Sequence, residues 1–83
     1  MKVIGVQRNI GEYKGNNYDK IKFICTYPIT KNGSGDNCEI VSIKTDLCDE
    51  LLQTIDGEID MIVGMEIKFD YNKFGQPVSI KEI

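Results

Sequence analysis

A small, mainly β domain with five strands and one helix between the third and fourth is what this sequence predicts. Three observations predict it. Hydrophobic and polar residues alternate over Tyr18–Tyr27 and again over Met65–Tyr71, the period of two expected when a strand buries one face. A helical period occurs only at Leu47, Leu51 and Ile55, spaced i, i+4, i+8. Glycine is frequent at 8 and proline rare at 2, which suits short strands joined by tight turns. The 83 residues are about one domain's worth of chain, since domains rarely fall below roughly 50 residues. The whole of 1–83 therefore reads as a single unit. A composition of 41% hydrophobic and 28% charged residues is that of a folded globular chain, not a disordered one.

The β-branched run Lys2–Arg8 predicts the first strand. Asn9–Asn17, with glycine and asparagine toward both ends, predicts a loop or hairpin tip. In Tyr18–Tyr27, Ile21, Phe23, Cys25 and Tyr27 share one face, while Tyr18, Lys20, Lys22, Ile24 and Thr26 share the other. Pro28 ends that ladder because it has no N–H to donate. Lys31–Asn37 carries no hydrophobic residue and predicts a loop. Cys38–Lys44 predicts the third strand, with its inward face left open by the run itself. The helix follows, with Thr45 or Asp46 to cap it and Gly57 at its exit. Ile59–Val63 is an apolar patch of no clear period. Met65–Tyr71 and Pro77–Ile83 predict the last two strands, joined by a turn at Asn72–Gln76 with Gly75 in the left-handed conformation. Ile21, Phe23, Cys25, Val41, Ile43, Leu47, Leu51, Ile67, Phe69, Val78 and Ile80 are the expected core.

Three strands, a helix and two strands is the chain order of the OB-fold, a five-stranded Greek-key barrel. That is the expected architecture. An SH3-like barrel and an open five-stranded sheet under one helix are the alternatives.

The chemistry available is limited. There is no histidine, so no side chain offers an ordinary pKa near neutrality for acid–base work. Cys25, Cys38 and Cys48 form no C-x-x-C pair and cannot supply a zinc tetrad. Their odd number implies a reducing, cytoplasmic setting. The carboxylates Asp56, Glu58 and Asp60 lack the spacing of a calcium loop. No apolar run approaches the roughly 18 residues of a membrane span. The expectation is a non-enzyme with no catalytic residue, metal or cofactor.

Net charge is -3, but it is unevenly spread. Residues 1–45 hold seven basic groups against four acidic ones, and 46–64 hold six acids and no base. The ligand face of an OB-fold is built on strands 2 and 3 and the loops joining strands 1–2 and 4–5. On that plan Tyr13 and Lys14 fall in the first loop, Lys73 and Phe74 in the second, Tyr18, Lys20 and Lys22 on the outward face of strand 2, and Lys44 at the end of strand 3. Aromatic rings among cations suit single-stranded nucleic acid, because rings stack on bases while ammonium groups neutralise phosphates. The plainer reading is that the rings pack on barrel ends and the lysines keep exposed strands soluble.

The opening Met1-Lys2-Val3-Ile4-Gly5-Val6-Gln7 and the closing Val63–Val78, with its Tyr71-Asn72-Lys73-Phe74-Gly75, resemble small proteins of phages and conjugative elements of Gram-positive bacteria. These in turn resemble the filamentous-phage gene V class of single-stranded DNA-binding proteins. The resemblance implies an OB-fold homodimer that binds single-stranded DNA, with Phe74 as a stacking residue. Two rival functions rest on the acidic 46–60 segment. One is an adaptor that docks a replication or transfer protein, and the other is an acidic mimic of DNA.

Overall fold

The computed structural model describes residues 1–83. Strand β1 (Lys2–Tyr13), β2 (Asn16–Pro28) and β3 (Asp36–Lys44) form one antiparallel sheet in the order β1-β2-β3. A 3₁₀ turn (Thr45–Cys48) leads into the single helix α1 (Asp49–Thr54), and a second 3₁₀ turn (Ile59–Ile62) precedes β4 (Ile67–Tyr71) and β5 (Pro77–Glu82). β4 and β5 pair as a separate antiparallel sheet. No helix is long and apolar enough to cross a membrane.

The five strands and single helix match the expected order, but hydrogen bonding does not close them into a barrel. The two sheets join at one corner, where Lys2 bridges Glu66. There Val3 N–H donates to Met65 O at 2.9 Å and Ile67 N–H to Met1 O at 2.8 Å. At the other side β3 lies against β5 without a ladder between them.

One core draws on every strand and on all three helical turns. Ile21, Phe23 and Cys25 face inward from β2, opposite Val41 and Ile43 of β3, while Ile67, Phe69 and Ile80 come from the second sheet. The Phe23 and Phe69 rings meet edge to face with centroids 5.5 Å apart, a favoured aromatic geometry. Burial pushes the Cys48 thiol up to about 11 and raises that of Cys25, so neither is a thiolate near neutral pH.

The structure corrects three expectations. Asn9–Asn17 is not a loop: β1 runs on to Tyr13 and pairs with β2 to the very end, Tyr13 opposite Asn16. Lys14 and Gly15 alone make the turn, both with positive φ (51° and 78°), as the tightest hairpin turn requires. This ribbon stretches the molecule to 47 × 29 × 20 Å and its radius of gyration to 13.8 Å, against about 12 Å for a compact chain of this length. Leu47 is exposed, and Cys48, Leu51 and Ile55 make the buried stripe instead. The first turn is 3₁₀, and its three residues per turn move the apolar phase by one position. Val78 is also exposed, because β5 passes the end of the core before Ile80 enters it.

Candidate nucleic-acid interface

Antiparallel register decides which side chains share the outer face of the three-stranded sheet. Ile21, Phe23 and Cys25 point inward, so Tyr18, Lys20, Lys22, Ile24 and Thr26 point away from the core. Directly opposed residues lie on the same face. Lys20 thus stands in a row with Asn9 and Lys44, Lys22 with Gln7 and Ser42, and Tyr18 with Gly11. By the same alternation along β1, Tyr13 joins this face at the hairpin end. Asn9, Tyr13, Tyr18, Lys20 and Ser42 line one shallow depression on it. The sequence-predicted set Tyr13, Tyr18, Lys20, Lys22 and Lys44 therefore converges on one surface, with Lys14 at its edge.

Tyr18 is held in a particular way. A Cβ built on Gly11 would sit 2.5 Å from Tyr18 Oη and 2.7 Å from Cζ. The hydroxyl end of the ring therefore lies over Gly11 on β1, in space that any larger residue at position 11 would fill. Tyr18 is 42% exposed there, and an exposed aromatic ring is a surface on which a base can stack. Gly11 belongs to the site, and nothing in the turn-like run around it marks that role in the sequence.

The lysines are unneutralised. The ion pairs of the molecule are Met1–Glu66, Arg8–Asp19 and Lys81–Asp70, and Lys14, Lys20, Lys22, Lys44 and Lys73 enter none of them. Lys20 and Lys44 are direct cross-strand partners, and like charges in that position destabilise a sheet.

The second hairpin flanks this face. A groove of about 350 Å³ joins Lys20, Ser42 and Lys44 to Leu47, Pro77 and Val78. Leu47 and Val78, expected in the core, are thus two apolar walls beside the lysine row. Lys73 and Phe74 do not line the groove. They stand at the tip of the β4–β5 hairpin, where Asn72 Oδ1 accepts the N–H groups of Phe74 (2.9 Å) and Gln76 (3.0 Å). That ties the tip down while Phe74 stays 74% exposed. The two hairpin tips are alike, with Lys14 Nζ 5.3 Å from the Tyr13 ring centroid and Lys73 Nζ 5.1 Å from that of Phe74. Each tip presents a ring with a cation against it.

At the root of the ribbon, on the core side, Asp19 accepts hydrogen bonds from Arg8 Nε (3.0 Å) and Nη2 (2.6 Å) and from Thr45 Oγ1 (2.7 Å). Arg8, and after it Thr45, hold the Asp19 carboxyl down to about 2. The acids Asp46, Asp49, Glu50, Asp56, Glu58 and Asp60 are all exposed. Their segment supplies Leu51, Ile55 and Ile62 to the core, so it covers the side of the sheet that the lysines face away from. No three His, Cys, Asp or Glu side chains gather where they could hold a metal ion. Compared with known proteins, the chain matches no family model, no curated protein and no solved structure.

Proposed function

We propose that the outer face of the β1-β2-β3 sheet, with the two hairpin tips, binds single-stranded nucleic acid by stacking and phosphate neutralisation. The observation that carries this is the Lys20–Lys44 cross-strand pair, unneutralised beside the Tyr18 ring seated over Gly11. Folding alone gains nothing from opposing two ammonium groups, whereas a polyanion bound between them does. The fold reading that goes with it is an open OB-like arrangement. Its support is that β4 meets β1 at the Lys2–Glu66 bridge and β5 lies against β3, the neighbours that closure of an OB barrel would need. Binding to single-stranded DNA is also what the resemblance to phage and conjugative-element proteins implies.

The test is a gel shift with a poly-dT oligonucleotide at low and moderate salt. Binding that weakens with salt supports the reading, and absence of binding at low salt overturns it. A second reading rests on the acidic segment 46–64, whose six carboxylates are all exposed: docking of a basic protein partner there. Capture of such a partner, lost when these acids are neutralised, while poly-dT fails to bind, is the result that favours it.

A further inference from the structure

The free edge of β1 is the least guarded surface of the molecule. β1 is the outer strand of its sheet, and β4 meets it only at its start, around the Lys2–Glu66 bridge. Of the backbone hydrogen bonds outside the strand ladders and helices, none involves Gly5 to Tyr13. In a two-residue hairpin the closing pair, here Tyr13 and Asn16, exchanges hydrogen bonds. Bonded and unbonded positions then alternate back along the strand. Gly11 and Asn9 therefore turn their N–H and C=O groups to β2, while Glu12, Ile10 and Arg8 turn theirs outward, unpaired. A long free edge is a template for another strand, and proteins usually block it with proline, lysine or a covering element. Val3 to Tyr13 holds neither proline nor lysine. The other edges are guarded: β3 lies against β5, and β5 itself begins at Pro77 and ends with Lys81 and Glu82.

The side chains on this edge are self-complementary. Arg8, Ile10 and Glu12 share the inward face of the ribbon, opposite Ile21, Asp19 and Asn17 of β2. Ile10 is 68% exposed, and Glu12 enters no ion pair. Arg8 gives Nε and Nη2 to Asp19, which leaves the donors of Nη1 unused. We propose that β1 pairs antiparallel with β1 of a second copy, about a two-fold axis at Ile10. In that register Ile10 opposes the partner's Ile10, and Arg8 opposes the partner's Glu12 on both sides of the axis. These are the positions whose backbone groups are free, so each opposed pair exchanges two hydrogen bonds. Neighbouring registers fail. An axis at Arg8 or at Glu12 opposes like charges. An axis at Asn9 sets Ile10 against Arg8, and one at Gly11 sets Ile10 against Glu12 and Arg8 against Lys14. The contact is isologous, as a closed dimer requires. It joins two three-stranded sheets into one and leaves their outer faces open. Asn9 then opposes the partner's Gly11, which brings the partner's Tyr18 into line with the Lys20–Lys44 row.

The experiment is sedimentation equilibrium without nucleic acid, so its outcome does not depend on the single-strand reading. An edge-to-edge contact is small among stable interfaces, and a dissociation constant on the order of tens of micromolar is expected. Glu12→Arg sets like charges against each other on both sides of the axis and should weaken the dimer about tenfold or more. The melting midpoint of the dilute variant should stay near the parent's, because Glu12 is exposed. Register is read by oxidation in a Cys38→Ser background, which removes the exposed thiol and leaves Cys25 and Cys48 buried. Opposed Cα atoms of a hydrogen-bonded pair lie about 5.5 Å apart, within disulfide reach. Ile10→Cys should therefore cross-link into a dimer. Glu12→Cys should not, since it lies opposite Arg8 and about 14 Å from the same position in the partner. A parent that stays monomeric up to about 1 mM overturns the proposal. So does a Glu12→Arg variant that dimerises as tightly as the parent, or cross-linking at Glu12→Cys and not at Ile10→Cys.

Discussion

The two halves of the β1–β2 hairpin obey different rules although they are the same two strands. From Lys2 to Arg8, paired with Ile21 to Thr26, the inward residues Val3, Ile21, Phe23 and Cys25 are fully buried. From Asn9 to Tyr13, paired with Asn16 to Lys20, neither face has a core to enter, and Ile10 and Tyr13 are about two-thirds exposed. Burial holds the first half. A two-residue turn, the ladder itself and the Arg8–Asp19–Thr45 cluster hold the second. The half that the fold does not bury carries Tyr13, Lys14, Tyr18 and Lys20, so binding and stability should respond to different mutations.

The largest expected effect lies in the buried half. Phe23→Ala removes a ring packed on Phe69 with no solvent contact and should cost about 3–5 kcal/mol. For a small domain that is much of the total stability, and a calorimetric melt should show most of the protein unfolding early. A midpoint within a few degrees of the parent would mean that the two halves do not differ as described.

The same contrast explains how much of the molecule was legible in the sequence. A period of two is visible only where one face is buried, so β2 could be read from Ile21, Phe23 and Cys25 and its outward lysines followed. Beyond Arg8 there is no core to impose a pattern, and Asn9, Gly11 and Asn16 carry the chemistry of a loop although they pair as strand. Leu47 misled because a 3₁₀ turn shifts the helical phase, a change that spacing alone does not reveal. Val78 misled because alternation gives direction but not whether the core extends that far. The lysines of the candidate face were legible. Gly11 was not, since its role is to leave room for a ring seven residues away.

In the exposed half, Tyr18→Ala should weaken single-strand binding by about 1–3 kcal/mol, the worth of a stacked base. Phe74→Ala should do likewise from the other hairpin. Each should leave the melting midpoint near that of the parent, because neither side chain belongs to the core. Gly11→Ala sharpens the point. It leaves Tyr18 in the chain but forces its ring off β1, so affinity should fall partway toward the Tyr18→Ala value in a fluorescence titration. Unchanged affinity in both variants would remove the platform from the site.

The junction between the halves has its own signature in acid. The Asp19 carboxyl is held down to about 2 in the fold, against an ordinary 3.8. A depressed carboxyl contributes stability above its unfolded value, and that contribution is lost as pH falls through the folded one. The parent's melting midpoint should therefore drop between about pH 4 and pH 2, with Asp70, lowered by Ser79, adding to the fall. Asp19→Asn should be less stable at neutral pH and should fall less steeply through this window. An identical acid profile would show that the cluster does not tie the ribbon down.

The smallest effect is the most specific. Each ammonium that neutralises a phosphate of a single strand contributes about 0.7 to the slope of log K against log salt. With five unpaired lysines around the face, only some of them on phosphates at once, the parent slope should be about -2 to -3. Lys20→Ala should make it shallower by about 0.7 and lose affinity mainly at low salt. Removing one of two opposed ammonium groups should not lower stability and should raise it slightly, because Lys20 and Lys44 repel each other across the strands. Lys81→Ala is the control. Its ammonium is 3.9 Å from Asp70 on the second sheet, so its loss should leave the slope unchanged. If Lys20→Ala and Lys81→Ala shift the slope equally, the attraction belongs to overall charge and not to the sheet face. If Lys20→Ala lowers stability while the slope stays fixed, the lysine row serves the fold and not a ligand.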